Sequence, residues 1–101
     1  MRNARLWLDS FTPPPNEGYA WLWARTVKGA EIFIKNFETR WDEYDKIIIS
    51  IGSKIEGDQL IDYLISNKKV SPRFSFHIHT EGKDKEYFRS KFKEFMWIEI
   101  S

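Results

Sequence analysis

Residues 5–15, RLWLDSFTPPP, constrain the fold more than any other part of the chain. The apolar residues 6–8 favour a buried β-strand, and three consecutive prolines forbid its continuation as an inner strand or a helix. The strand therefore ends on a polar pair, Asp9 and Ser10. In open α/β sheets, ligands bind just beyond the carboxyl ends of the strands. Asp9 and Ser10 are thus the first candidates for a functional site.

Composition limits the class of protein. The chain has 101 residues, 42% of them hydrophobic, with five tryptophans and eight phenylalanines, which suits a single domain over residues 1–101. Its 16 basic and 15 acidic residues nearly cancel, which argues against duplex DNA or an anionic membrane as a partner. The sequence has no cysteine, no signal-peptide pattern and no apolar window of membrane-spanning length. We expect a soluble, cytoplasmic protein.

The first half of the chain alternates strand and helix patterns. Residues 19–25 alternate as a second strand, with an aromatic face formed by Tyr19, Trp21 and Trp23. Thr26 fits the N-cap of a helix that continues to about Phe37, and residues 38–45 are predicted to be a loop. Next comes KIIISI, Lys46–Ile51, which is apolar on both faces and typical of a central parallel strand. It leads into three residues suited to a ligand: Gly52, Ser53 and Lys54.

The second half repeats the alternation. Gly57 and Asp58 are predicted to open a helix, and residues 74–79 a strand with the polar ending His79 and Thr80. A last helix is predicted over residues 82–95, followed by a short strand over 97–100. This order predicts an α/β fold, a small three-layer sandwich. Its sheet is expected to have four to five mainly parallel strands and to be covered on both sides.

The motifs LWLDSFTPPP, GDQLIDYLI and FHIHT, with Arg25-Thr26 at a helix entrance, resemble the cyclic-phosphate processing receiver-like domains. These are small flavodoxin-like relatives of response-regulator receivers, found in bacteria and phages. The resemblance spans nearly the whole chain, from about Leu6 to Phe92. It implies an action on cyclic phosphates in RNA or nucleotide metabolism.

The chain departs from the pattern of that family at its acidic positions. Members carry two adjacent aspartates after the first strand, where this chain has Asp9-Ser10. They end the buried strand with an aspartate-histidine-aspartate motif, and that segment here contains Ser50, Gly52 and Ser53. The histidine and hydroxyl after the later strand persist as His79 and Thr80.

These departures favour binding over catalysis. A magnesium site usually needs more than one carboxylate, and an aspartyl-phosphate relay needs an acceptor acid that Ser50 cannot replace. We therefore predict no metal site and no required cofactor, with Mg²⁺ involved only if the protein is catalytic. A phosphate, by contrast, is held by backbone N–H groups, small hydroxyl residues and a cation. The predicted ligand-binding residues are Asp9, Ser10, Arg25, Thr26, Ser50, Gly52, Ser53, Lys54, His79 and Thr80.

The sequence thus predicts a protein that binds a phosphorylated or cyclic nucleotide and sequesters it with little turnover, as a phage anti-defence protein would. Two alternatives stay open. A cyclic-phosphate hydrolase would use His79 and Asp9 as its catalytic pair. A protein-interaction module, in the form of a homodimer for example, would use the aromatic strand or the segment around Phe95 and Trp97.

Some of these features also have a purely structural interpretation. A histidine at a strand end, such as His79, is often a satisfied structural residue, and His77 is assigned that role. The stripe of Tyr19, Trp21 and Trp23 can stack a nucleobase, or it can be the core beneath a helix.

Overall fold

The computed structural model describes residues 3–15, 21–95 and 98–101. It contains five strands: β1 (Asn3–Leu8), β2 (Leu22–Ala24), β3 (Lys46–Ile51), β4 (Phe74–Ile78) and β5 (Glu99–Ile100). Three α-helices connect the later strands: α1 (Val27–Phe37), α2 (Lys54–Ser66) and α3 (Gly82–Lys91). A 3-10 helix, Glu38–Glu43, follows α1 directly.

All five strands are parallel and lie in the order β2-β1-β3-β4-β5. This is the order of the flavodoxin-like doubly wound sheet. The α/β class and the parallel sheet are therefore confirmed. The predicted central strand is confirmed to the residue, since Lys46–Ile51 pairs with β1 on one side and β4 on the other.

One face of the sheet packs against all three α-helices; we call it the helix face. Its centre is formed by alternate residues of β3, namely Ile47, Ile49 and Ile51, which are almost completely buried. The helices contribute Ala30, Phe33, Ile34, Leu60, Ile61, Leu64, Phe88 and Phe92 to the same core. The crossovers through α1, α2 and α3 all run in one direction across the sheet. Because such crossovers are right-handed, their helices lie on the same side.

The opposite face, which we call the second face, is covered differently from the expected three-layer arrangement. Across its centre, Trp7, Ser50 and His77 lie side by side in register. In the described ranges, the connection from β1 to β2 contains no helix. Instead the indole Nε1 of Trp7 donates a hydrogen bond to the carbonyl of Thr12, 2.8 Å away, so the loop after β1 bends back over this face. The described structure thus has one helical layer rather than two.

Several predicted boundaries are wrong. α2 begins at Lys54, three residues before the predicted start, and α3 ends at Lys91 rather than at residue 95. The predicted loop over residues 38–45 is largely a 3-10 helix. The β2 strand has three residues, and Tyr19 lies outside the described residues, as does Trp97 in the predicted terminal strand.

In the part of the chain that the structure describes, every helix falls short of the length and apolar character needed to cross a membrane.

Candidate functional site

The C-terminal edge of the sheet has a topological switch point between β1 and β3. From β1 the chain leaves towards β2, whereas from β3 it leaves in the other direction through α2. The two strand ends stay side by side, because the amide of Gly52 donates a 2.9 Å hydrogen bond to the carbonyl of Leu8. A crevice at such a point is where doubly wound sheets bind ligands.

Asp9 organises the loop that leaves β1. Its Oδ1 accepts hydrogen bonds from the amides of Phe11 and Thr12, at 2.9 and 3.1 Å. Its carbonyl accepts one from Nε1 of Trp23 at 2.8 Å. The side chain is buried, and its carboxylate supplies the acceptor for these two loop amides, as aspartates do in Asx turns. Asp9 is thus largely engaged with its own loop.

Gly52 allows β3 to end directly against Asp9. A Cβ atom at this position would lie 2.6 Å from Oδ2 of Asp9 and 3.0 Å from Cζ2 of Trp7, which are sub-contact distances. Only glycine lets the backbone approach this closely. The next residue, Ser53, caps α2 by accepting from the amide of Glu56 at 3.5 Å. The first turn of α2 therefore begins directly at the switch point.

Glu56 is a site residue that sequence reasoning missed. Its Oε1 accepts hydrogen bonds from both the amide and the hydroxyl of Ser10, and so ties the end of β1 to the first turn of α2. The pattern Ser53-x-x-Glu56 has the spacing of a capping box and marks the start of a helix, but it does not predict the bond between Glu56 and Ser10. Recognising that pattern would have placed the start of α2 correctly.

Lys54 lies over the neighbouring helix. Its Nζ is 3.5 Å from Oδ1 of Asp84 and 4.6 Å from the ring centre of Tyr87. The hydroxyl of Thr80 and the ammonium of Lys54 hold the pKa of Asp84 below its ordinary value, against the opposing effect of burial. Lys54 itself remains exposed. The start of α3 is thus joined to the start of α2 by an ion pair, and Thr80 belongs to this group.

His79 directly follows the end of β4, and its ring packs against that of Trp7. The two ring centres are 5.0 Å apart in an edge-to-face contact. The described residues contain no hydrogen bond between His79 and Asp9, so the predicted catalytic pair is not joined directly. Two positions earlier, Nε2 of His77 lies 3.2 Å from the hydroxyl of Ser75, and burial lowers the pKa of His77, with His79 adding to the effect.

Arg25 and Thr26 lie at the end of β2. Thr26 caps α1 as predicted, because its hydroxyl accepts from the amide of Gly29 at 3.0 Å. The guanidinium of Arg25 is exposed and lies 4.9 Å from the ring centre of Trp23. Since Trp23 also bonds to the carbonyl of Asp9, Arg25 is connected to the switch point through one side chain.

Ser50 lies one residue before the end of β3 but is not exposed at the edge. It is completely buried in β3, on the second face, and its hydroxyl has no hydrogen-bond partner among the described residues. A ligand at the strand ends does not reach it in this structure. The predicted set therefore divides into residues at the switch point, a histidine beside Trp7, a pair at α1 and one buried serine.

The described residues contain no group of three or more histidine or acidic side chains arranged to hold a metal ion. On the far side of the molecule, between α3 and β5, lies a separate groove of about 300 Å³. It is lined by Arg89, Phe92, Lys93, Phe95, Ile98 and Ile100. This groove contains Phe95, which the interaction-module alternative singled out.

Comparison with protein-family models, with curated proteins and with solved structures finds no match for this chain. The resemblance to the cyclic-phosphate processing receiver-like domains stays a prediction, and the functional argument is built on the residues described above.

Proposed function

We propose that this protein binds a phosphorylated or cyclic nucleotide at the C-terminal edge of its sheet and holds it with little turnover. The observation that carries the proposal is the switch point between β1 and β3, where the polar ends of both strands meet. Gly52 lets the backbone at the end of β3 approach Asp9 and Trp7 more closely than a residue with a side chain could. In doubly wound sheets the switch point is the position of the ligand.

The electrostatics of the edge support an anionic ligand. All three α-helices begin there, at Val27, Lys54 and Gly82, because the strands are parallel and each helix follows a strand end. The N-terminus of a helix carries about half a positive charge, and its free amides bind phosphate well. Two exposed cations, Arg25 and Lys54, lie beside two of these helix starts.

The contacts at the edge favour holding a ligand over cleaving it. Hydrolysis of a cyclic phosphate by acid and base needs two titrating groups near one phosphorus atom. Here Oδ1 of Asp9 already accepts two backbone N–H groups, and the contact partner of His79 is the ring of Trp7. Sequestration needs only the anion contacts, which the helix starts and cations can supply.

The test is calorimetry with a panel of linear and cyclic mono-, di- and trinucleotides, with and without Mg²⁺, followed by chromatography of the recovered ligand. We expect binding with the ligand intact. Lys54→Gln should weaken binding by about tenfold, because a charge-assisted contact to phosphate is lost. Lys35→Gln is the control. It removes an exposed cation from the last turn of α1, away from the edge at which the helices begin, and should leave binding unchanged.

Three results would change the proposal. Absence of binding across the panel would refute it. Conversion of the ligand to a product that requires His79 would replace it with the hydrolase. Equal losses in Lys54→Gln and Lys35→Gln would mean that binding is non-specific attraction to a cationic surface. Urea unfolding of each variant checks that the loss of the Lys54–Asp84 ion pair has not unfolded the protein.

A further inference from the structure

The loop after β1 presents a phenylalanine almost entirely to water. Phe11 is 91% exposed, the highest value among the large hydrophobic side chains that the structure describes. The second highest is Ile55 in the first turn of α2, at 73%. Phe11 directly follows Ser10 in the chain, and Ile55 directly precedes Glu56. Ser10 and Glu56 are hydrogen-bonded to each other across the switch point. The two segments that carry these exposed apolar side chains are therefore joined to each other.

The backbone that carries Phe11 is fixed on both sides. Its own amide and that of Thr12 donate to the buried carboxylate of Asp9. The carbonyl of Thr12 accepts from the buried indole of Trp7. Three prolines, residues 13–15, then restrict the chain further. A loop that is anchored by buried groups holds its exposed ring in a defined place, which reduces the ordering cost of any contact made there.

We infer that Phe11 is the residue on which the base of the bound nucleotide stacks, an inference that rests on the proposed function. Phe11 directly follows Ser10, which bonds to Glu56 in the first turn of α2, and Lys54 begins the same turn. A nucleotide presents a flat apolar base together with an anionic phosphate. An aromatic side chain accepts the face of any base without needing a hydrogen-bond pattern.

The size of the apolar surface favours a base over a protein partner. One aromatic side chain provides on the order of 200 Å². A stable protein interface buries roughly 800 Å² on each partner, which Phe11 and Ile55 together do not approach. The face of a single base needs only one ring. Phe11 is accordingly assigned to base recognition.

The experiment compares wild type with Phe11→Ala, Phe11→Leu and Phe11→Trp, and titrates each protein with nucleoside monophosphates, cyclic nucleotides and ribose 5-phosphate. Phe11→Ala should weaken nucleotide binding by about tenfold to a hundredfold, the range found for loss of a stacked base. Phe11→Leu should lose most of this affinity, whereas Phe11→Trp should keep it. Binding of ribose 5-phosphate should be the same in all four proteins.

The control is Ile32→Ala, which removes an exposed apolar side chain from α1 and should not change binding. Because Phe11 is exposed, its variants should unfold at the urea concentration of wild type. The inference is overturned if Phe11→Ala binds nucleotides as tightly as wild type, or if it weakens ribose 5-phosphate equally. If the wild-type protein binds no nucleotide, the proposed function and this inference are both refuted. If the wild type binds but Phe11→Ala binds equally well, only this inference is refuted.

Discussion

The two faces of the sheet bury their side chains by different means. On the helix face, Ile49 belongs to an apolar core to which all three helices contribute. On the second face, Ile48 and Ser50 of the same strand are equally buried, without any helix of the described residues above them. Their strand is shared, so β-propensity does not explain the difference. What differs is the connection that runs over each face.

The two faces also differ in polarity, because the buried polar groups of the sheet lie on the second face. The helix face is uniformly apolar, whereas the second face contains His77, the hydroxyl of Ser50 and the indole of Trp21, whose Nε1 has no hydrogen-bond partner among the described residues. A buried polar atom without a partner costs about 1–3 kcal/mol. We therefore expect the second face to contribute less to the free energy of unfolding per buried residue, although it supports the loop next to the candidate site.

We expect the largest change in the free energy of unfolding from the same substitution, isoleucine to alanine, made once on each face. Ile49→Ala should lower the free energy of unfolding by about 4 kcal/mol, and Ile48→Ala by about 2 kcal/mol. A cavity under three packed helices collapses less than one under a loop, so it retains more of its cost. Urea unfolding, monitored by circular dichroism, measures both values. Equal losses would mean that the second face is packed as tightly as the helix face.

A smaller effect tests the anchor between the second face and its loop. Trp7→Phe keeps an aromatic ring but removes the N–H donor to the carbonyl of Thr12. We expect a loss of about 1 kcal/mol in the free energy of unfolding, together with faster proteolysis of the loop. Trp23→Phe removes the corresponding donor to the carbonyl of Asp9 and serves as the comparison. Unchanged proteolysis in Trp7→Phe would show that the prolines alone hold the loop.

The smallest effect concerns pH and again belongs to the second face. Burial, and then the nearby His79, lowers the pKa of His77 below its ordinary value of 6.5. In the unfolded chain this histidine takes up a proton near pH 6.5, where the folded form does not. The free energy of unfolding should therefore fall slightly as the pH is lowered through 6.5, and the fall should end below the folded pKa.

Unfolding in urea at several pH values between about 8 and 5, the range over which a histidine changes charge, detects this change, with His77→Gln as the variant that should flatten it. The exposed His79 provides the control, since His79→Gln should retain most of the pH dependence. A fall in stability that persists in His77→Gln would place its origin in other groups.

Local patterns predicted the individual elements well where one signal dominated. The six residues Lys46–Ile51 are β-branched or apolar nearly throughout and stand between polar segments, which left few alternatives. Thr26 was recognised as an N-cap because a hydroxyl residue precedes a helical pattern. At α2, Gly57 was interpreted as a helix start, yet it is a buried helix residue whose Cβ would lie 2.3 Å from Cγ2 of Ile51. A packing requirement of the core was mistaken there for a boundary signal.

The arrangement of layers and the site contacts depend on information that no local pattern contains. The position of β2 beside β1 decides that every helical crossover runs the same way. The residues 9–15 indicated a loop but not its return over Trp7. The contact between Ser10 and Glu56 joins positions 46 residues apart, and the exposure of Phe11 follows from that folded arrangement. Residue types at strand ends could be predicted, whereas their partners could not.

The shortness of the two outer strands has a consequence for assembly. β2 has three residues and β5 two, so each edge strand of the sheet, as described, has few unpaired main-chain N–H and C=O groups with which another chain could pair. Long, flat edge strands can pair with strands of other chains, and natural sheets avoid this by keeping their edge strands short. The strongly β-forming sequence of β3 lies between two neighbours and is shielded from such pairing. Fibril formation should therefore require unfolding of the native sheet, rather than simple stacking of folded molecules.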